Sequence, residues 1–215
     1  MAVAARRSER LEEAFGATSA VQVPADATDV AEVAAMVATA NEALGGFDLV
    51  LYAAGGGTLA PLVSTDPESW AHDHQVNVIG ANLVCAAALE HLAPDGVTAF
   101  VSSRGPLDNH WGLASYASSK AALDTAVEGW RVEHPDRRFL RIVMGNTMPT
   151  EFAADFAPDI AGVAVARWLA QGIPLDVMEV GDVAELLVEL FGIILAHPGI
   201  DIPDVRLDAR RPAWS

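Results

Sequence analysis

The feature that most limits how this chain can fold is the apolar run Val97-Thr98-Ala99-Phe100-Val101-Ser102, closed by a second serine, Ser103. A short continuous run of this kind reads as a buried strand. Phe47-Asp48-Leu49-Val50-Leu51-Tyr52-Ala53-Ala54-Gly55 reads as a second, buried in a parallel sheet. Its small terminal residues let a bound group approach the backbone closely, although Gly55-Gly56-Gly57 is equally compatible with a plain flexible loop. Long helical patterns separate such runs, which makes the chain α/β. The Ser103 hydroxyl then stands at the carboxyl edge of the sheet, where open α/β sheets place their chemistry.

Thirteen positions after Ser103, Tyr116 and Lys120 open the next helical pattern, which runs to about Glu133. Four residues is just over one helical turn, so the phenol and the ammonium share a face. A cation that close favours the phenolate and lowers a pKa ordinarily near 10. A solvated helix face is the plain alternative. Upstream, Asn77 lies inside a long helical pattern from Asp66 to Leu92, where an amide among apolar neighbours needs a reason.

A strand ending in Ser-Ser, then Tyr-x-x-x-Lys-Ala-Ala, with an Asn-Val-x-Gly helix before both, resembles the short-chain dehydrogenase/reductase family through nearly the whole chain. The resemblance implies a Rossmann-like doubly wound parallel sheet. It makes Tyr116 the acid/base, Lys120 its pKa-lowering neighbour, Ser103 the hydroxyl that polarises the substrate oxygen and Asn77 the support of a proton-relay water. The reaction implied interconverts a carbonyl and a hydroxyl on a small, apolar substrate by hydride transfer. Ser103 as a strand cap and Asn77 as partner to a helix irregularity remain the simpler alternatives.

The same resemblance assigns the cofactor contacts. Met1 to Ala4 reads as the tail of a strand, and Arg6 and Arg7 follow it where the family discriminates its two nicotinamide cofactors. Their charge and donors suit a 2′-phosphate and favour NADP(H) over NAD(H). Asp26 and Ala27, after the strand Ala20–Pro24, match the pair that contacts adenine. Ala54 and Gly55 line the cofactor, Tyr116 and Lys120 reach it, and Thr150 matches the residue that meets the nicotinamide carboxamide. Two departures stand out: Tyr52 and Ala53 replace two usual asparagines, and Gly145-Asn146 replaces the usual Pro-Gly. The largely helical stretch 152–171, broken at Pro158, corresponds to a mobile substrate lid with an apolar wall. A last helix opens at Val180, and Ile200 to Leu207 supplies the edge strand.

Composition sets the outer bounds. A length of 215 residues and a hydrophobic fraction of 52% suit a single domain over 1–215 with a substantial core. The net charge of −16 argues against nucleic acid and anionic membrane surfaces. Cys85 is the only cysteine, so no internal disulfide and no Cys-pair metal site is expected. A cytoplasmic, soluble protein follows. The apolar breadth of the Asp66 and Tyr116 helices, which build a dimer interface in the family, implies a homodimer or homotetramer.

A complete family member begins with a strand, a glycine-rich turn and a helix that hold the cofactor pyrophosphate. No Gly-x-x-x-Gly-x-Gly stands at the start of this sequence. The reading here is therefore N-terminally truncated, with the central strand missing and two strands separated from four. The expectation is that the natural start lies upstream and the protein is an ordinary NADP-dependent oxidoreductase. The alternative is a non-catalytic or cofactor-independent relative acting as a dimeric interaction protein.

Overall fold

The computed structural model describes residues 1–210. Strand β1 (Ala2–Ala5) leads into helix α1 (Ser8–Phe15), strand β2 (Val21–Pro24) and helix α2 (Val30–Leu44). Asp29 caps α2 by accepting from the Ala31 and Glu32 amides, and Gly45 ends it at φ 75°, a left-handed conformation that glycine adopts without cost. Strand β3 (Phe47–Tyr52) follows.

The helical pattern from Asp66 to Leu92 is not one helix. It folds as α3 (Pro67–His74), a π-helical turn over Gln75–Gly80, α4 (Ala81–Ala88) and a 3-10 turn over Leu89–His91. Strand β4 (Leu92–Ser103) is longer than the apolar run that announced it. Then come α5 (Gly105–Asp108), α6 (Ala114–Glu133), β5 (Arg138–Met144), β6 (Thr147–Met148), α7 (Pro158–Ala170), β7 (Met178–Glu179), α8 (Val180–Ala196) and β8 (Asp204–Leu207).

All pairings are parallel. β3, β4, β5 and β8 form one four-stranded sheet in that order, β1 and β2 form a separate pair, and β6 and β7 a third. Among the described residues β1 and β3 share no ladder, the separation of two strands from four expected above. Helix α2 joins the two parts. Its Val33 and Val37 share a core with Tyr52 of β3, Cys85 of α4, Phe100 of β4 and Leu123 of α6. A second core, on the other face, packs α8 through Val183, Leu187 and Phe191 against Ala99, Leu140 and Ile142. Helices on both faces bury the sheet from both sides, which is why its strands carry unbroken apolar runs. No helix among the described residues is long and apolar enough to cross a membrane.

Parallel strands end at one edge. That edge gathers Arg6 and Arg7 beyond β1, Asp26 beyond β2, the glycines beyond β3, Ser103 at the end of β4 and Gly145 beyond β5. A third apolar cluster sits above it. There Leu59, Leu113 and Ala164 are buried against Trp111, Phe152 and Trp168.

Candidate active site

The site is organised by the π-helical turn. Asn77, wholly buried, donates from Nδ2 to the Gly56 carbonyl at 2.7 Å and to Ser119 Oγ at 2.9 Å, and its Oδ1 accepts from the Gly56 amide at 3.2 Å. One side chain thereby ties the loop after β3 to helix α6. One turn earlier, the buried Asp73 carboxylate accepts from the Thr58 amide and hydroxyl, each at 3.2 Å. Asp73 was not singled out from sequence, although its place four residues before Asn77 puts it on the same helix face.

The glycine loop so held runs against the Tyr116 helix. A Cβ on Gly55 would lie 3.1 Å from Asn77 Oδ1 and 3.4 Å from Lys120 Nζ. On Gly57 it would lie 2.8 Å from the Phe152 ring and 2.9 Å from the Tyr116 ring, so no larger residue fits there without displacing one of them. Ser103 completes the group. Its Oγ accepts from the Gly105 amide at 2.9 Å, and a Cβ on Gly105 would meet both Tyr116 Cε1, at 3.2 Å, and Ser103 Oγ, at 3.4 Å. Asn77, Tyr116 and Lys120 thus border the glycine loop after β3, and Ser103 meets Tyr116 at the Gly105 turn after β4.

The electrostatics depart from the expectation. Burial pushes the Tyr116 phenol above its ordinary value, and the hydrogen-bonding Ser103 hydroxyl pulls the other way. Lys120 does not face the phenol as a charge partner. Its ammonium is buried and donates to the Val101 carbonyl at 2.8 Å, and burial lowers its pKa to about 8 against the opposing Asp124 carboxylate. Asp124 is itself held by Ser102, whose Oγ donates to it at 2.5 Å. Burial outweighs the Ser103 hydrogen bond, and the Asp73 and Asp124 carboxylates push the same way, so the phenol is raised and not lowered.

At the other end of the edge, Arg6 is exposed and helps hold down the Asp26 carboxyl. The larger cause is Thr28, whose hydroxyl and amide donate to Asp26 at 2.7 and 2.9 Å. The Ala27 carbonyl lies 3.0 Å from where a Cβ on Gly80 would stand, so this loop abuts the π-helical turn. Arg7 and Arg10 both pair with Glu151. Ala54 and Thr150 are exposed, and Thr150 leads directly into the single turn Glu151–Ala153. Neither Glu151 nor Phe152 was marked as a site residue by the sequence, because their partners lie more than thirty residues away.

The stretch 152–171 packs over Tyr116. The Phe152 ring sits 4.8 Å from the Tyr116 ring and 5.4 Å from that of Phe156. His110 stands edge-on to Trp168 at 5.3 Å, and Trp168 Nε1 donates to the Trp111 carbonyl at 2.8 Å. Trp168 therefore binds the loop after α5 to α7. Burial holds the His110 pKa below its ordinary value.

Comparison with known proteins decides the family. A family model described as enoyl-(acyl carrier protein) reductase matches residues 2–190. The chain belongs to the short-chain dehydrogenase/reductase family. A relative described as short-chain dehydrogenase/reductase eriH, from Hericium erinaceus, is 35% identical over 107 residues. That match covers 48% of this chain and 42% of the relative, less than half of its length. Among solved structures, an alcohol dehydrogenase from Thermococcus sibiricus, complexed with 5-hydroxy-NADP, superposes with a TM-score of 0.79 at 20% identity, over 99% of this chain and 88% of its own. A short-chain dehydrogenase/reductase from Mycobacterium ulcerans gives 0.77 at 22% identity, over 96% and 78%. At such identity the short-chain dehydrogenase/reductase structures speak for the fold, an α/β parallel sheet of the Rossmann type.

Proposed function

We propose that this protein is an NADP(H)-dependent oxidoreductase that interconverts a carbonyl and a hydroxyl on a small, apolar substrate. The observation that carries the reading is that Asn77, Tyr116 and Lys120 border the loop after β3 while Ser103, at the end of β4, meets the Tyr116 side through the Gly105 turn. The described residues fit the cofactor at two ends: an arginine pair with Asp26 at one, and a side-chain-free glycine loop beside Tyr116 and Lys120 at the other.

Bound NADPH supplies the hydride. Tyr116 gives its phenolic proton to the substrate oxygen as that oxygen gains charge, while the Ser103 hydroxyl donates a hydrogen bond to it. Lys120, buried beside Gly55 with its ammonium on the Val101 carbonyl, keeps a positive charge at the edge where the cofactor would bind. Asn77 fixes the loop and, through Ser119, the helix that carries the phenol. The apolar cluster of Leu59, Leu113, Phe152, Phe156 and Trp168 excludes water and receives the substrate's carbon skeleton. Thr150, Ala54, Gly55, Ala27 and Asp26 complete the cofactor contacts.

The same reading makes the protein a cytoplasmic homodimer or homotetramer. It draws on the exposed apolar residues Ile79 and Val132, which flank α4 and end α6. The test is direct: calorimetric titration with NADPH and NADH, followed by NADPH oxidation in the presence of small apolar ketones. A dimer that binds neither cofactor would favour the non-catalytic interaction protein instead.

A further inference from the structure

The turn Glu151–Ala153 makes two contacts at once, one at each end of the candidate cleft. Glu151 pairs with Arg7 and Arg10, while the adjacent Phe152 covers the Tyr116 ring at 4.8 Å and fills the space beside Gly57. The two residues belong to a single tight turn, so neither moves far without the other.

We propose that this turn is a strap released by a phosphate monoester: Glu151 stands in for that anion on Arg7 and Arg10, and its displacement withdraws Phe152 from Tyr116. The proposal rests on the cofactor reading above, in which the 2′-phosphate of NADP(H) is the anion, and adds to it a coupling between the phosphate end and the phenol.

Three properties fit a replaceable contact. The side chains of Arg7, Arg10 and Glu151 are 55%, 53% and 58% exposed, so the pairs are hydrated, screened by salt and weak. A phosphate monoester carries more charge than a carboxylate and three acceptor oxygens, and two guanidinium groups present donors in the fork geometry that matches them. A ligand shifts an equilibrium only by its difference in affinity for the two states. Here the difference is built in, because the strap occupies Arg7 and the second nitrogen of Arg10 when it is down and releases both when it is up, Arg10 keeping its pair with Glu13 through the first.

By reciprocity, loosening the strap must tighten phosphate binding by the same factor that phosphate loosens the strap. Glu151→Gln should therefore bind NADPH about fivefold more tightly, the lower end of ordinary coupling, with NADH little changed.

The test that does not depend on turnover is nitration of Tyr116, followed by mass spectrometry, with the buried Tyr52 as internal control for folding. In the wild type, inorganic phosphate should raise the Tyr116 rate severalfold over sodium chloride of equal ionic strength. Glu151→Gln and Phe152→Ala should show the raised rate without it. A response to 2′-AMP but not to inorganic phosphate would mean that the nucleotide must carry the group; an equal response would mean that free phosphate suffices. Both support the strap. It is overturned if Glu151→Gln protects Tyr116 as well as the wild type does, or if phosphate still exposes Tyr116 after Arg7 and Arg10 are both changed to Ala. Exposure by phosphate in a chain that never binds NADPH would sink the cofactor reading and leave the strap. NADPH affinity identical in wild type and Glu151→Gln would do the reverse.

Discussion

The Tyr52 hydroxyl donates to the Val76 carbonyl across 2.7 Å, joining the end of β3 to the π-helical turn that carries Asn77. A π-helical turn shifts the usual hydrogen-bond ladder, and such turns recur at functional sites because they re-aim side chains. The position where the family usually has an asparagine is thus filled by a residue that supports the Asn77 turn from below. Burial pushes the Tyr52 phenol up to about 12, in keeping with a permanent donor.

Tyr52→Phe should therefore leave a buried carbonyl without its partner. The expected loss is about 1–2 kcal/mol by urea denaturation, with Asn77-dependent features disturbed in step. Unchanged stability would mean that the turn holds its shape without the phenol.

Asn77 makes three hydrogen bonds from a fully buried position, so Asn77→Leu strands the Gly56 amide and carbonyl together and leaves Ser119 only its bond to the Tyr116 carbonyl. A cost of roughly 3 kcal/mol or more follows. Denaturation midpoints of the variant and of Ser119→Ala should rank in that order. A near-neutral Asn77→Leu would remove Asn77 from the structural centre of the site.

These relationships mark the limit of what the sequence shows. The buried strands, the caps at Asp29 and Gly45, the extent of the Tyr116 helix and the order of Asn77, Ser103, Tyr116 and Lys120 are local patterns, and each is legible because periodicity and turn chemistry act over a few residues. The break of the Asp66–Leu92 pattern at Asn77 is not, since the π-helical turn exists through partners at Tyr52, Gly56 and Ser119, far away in the chain. The direction of the Tyr116 pKa is not legible for a similar reason. Helical spacing gives the distance to Lys120 but not the burial of both groups, nor the Val101 carbonyl that takes up the ammonium. Glu151 and Phe152 carried no local signal at all.

Stability should depend on pH through Lys120. Its folded pKa is lowered from 10.5 to about 8, so between those values the unfolded chain binds more protons than the native one. Stability therefore rises with pH across that window, by a few kcal/mol at most. The raised Tyr116 phenol opposes this only near and above its ordinary value of 10. Denaturation between about pH 8 and pH 9, below the range where the buried Cys85 thiol, raised from 9.0 to about 12, acts in the opposite direction, should show a rise in the wild type that Lys120→Met flattens. Parallel profiles would place the buried charge elsewhere.

The proposed cofactor choice rests on Arg6 and Arg7. Replacing both with alanine should weaken NADPH by about 10- to 100-fold while barely touching NADH. The lower end is expected, because the phosphate must displace Glu151 from Arg7 before it can bind there. Calorimetry with both cofactors checks this, and equal loss for both would indicate a folding defect.

The central claim is that Tyr116 transfers the proton. Tyr116→Phe keeps the ring, and with it the packing against Phe152, while removing the phenol that stands beside Ser103. The measurement is NADPH-dependent reduction of a small apolar ketone by wild type and variant side by side, with NADPH affinity recorded for both. The account predicts turnover lower by about 10²-fold or more at unchanged affinity. Turnover within a few-fold of the wild type would contradict it.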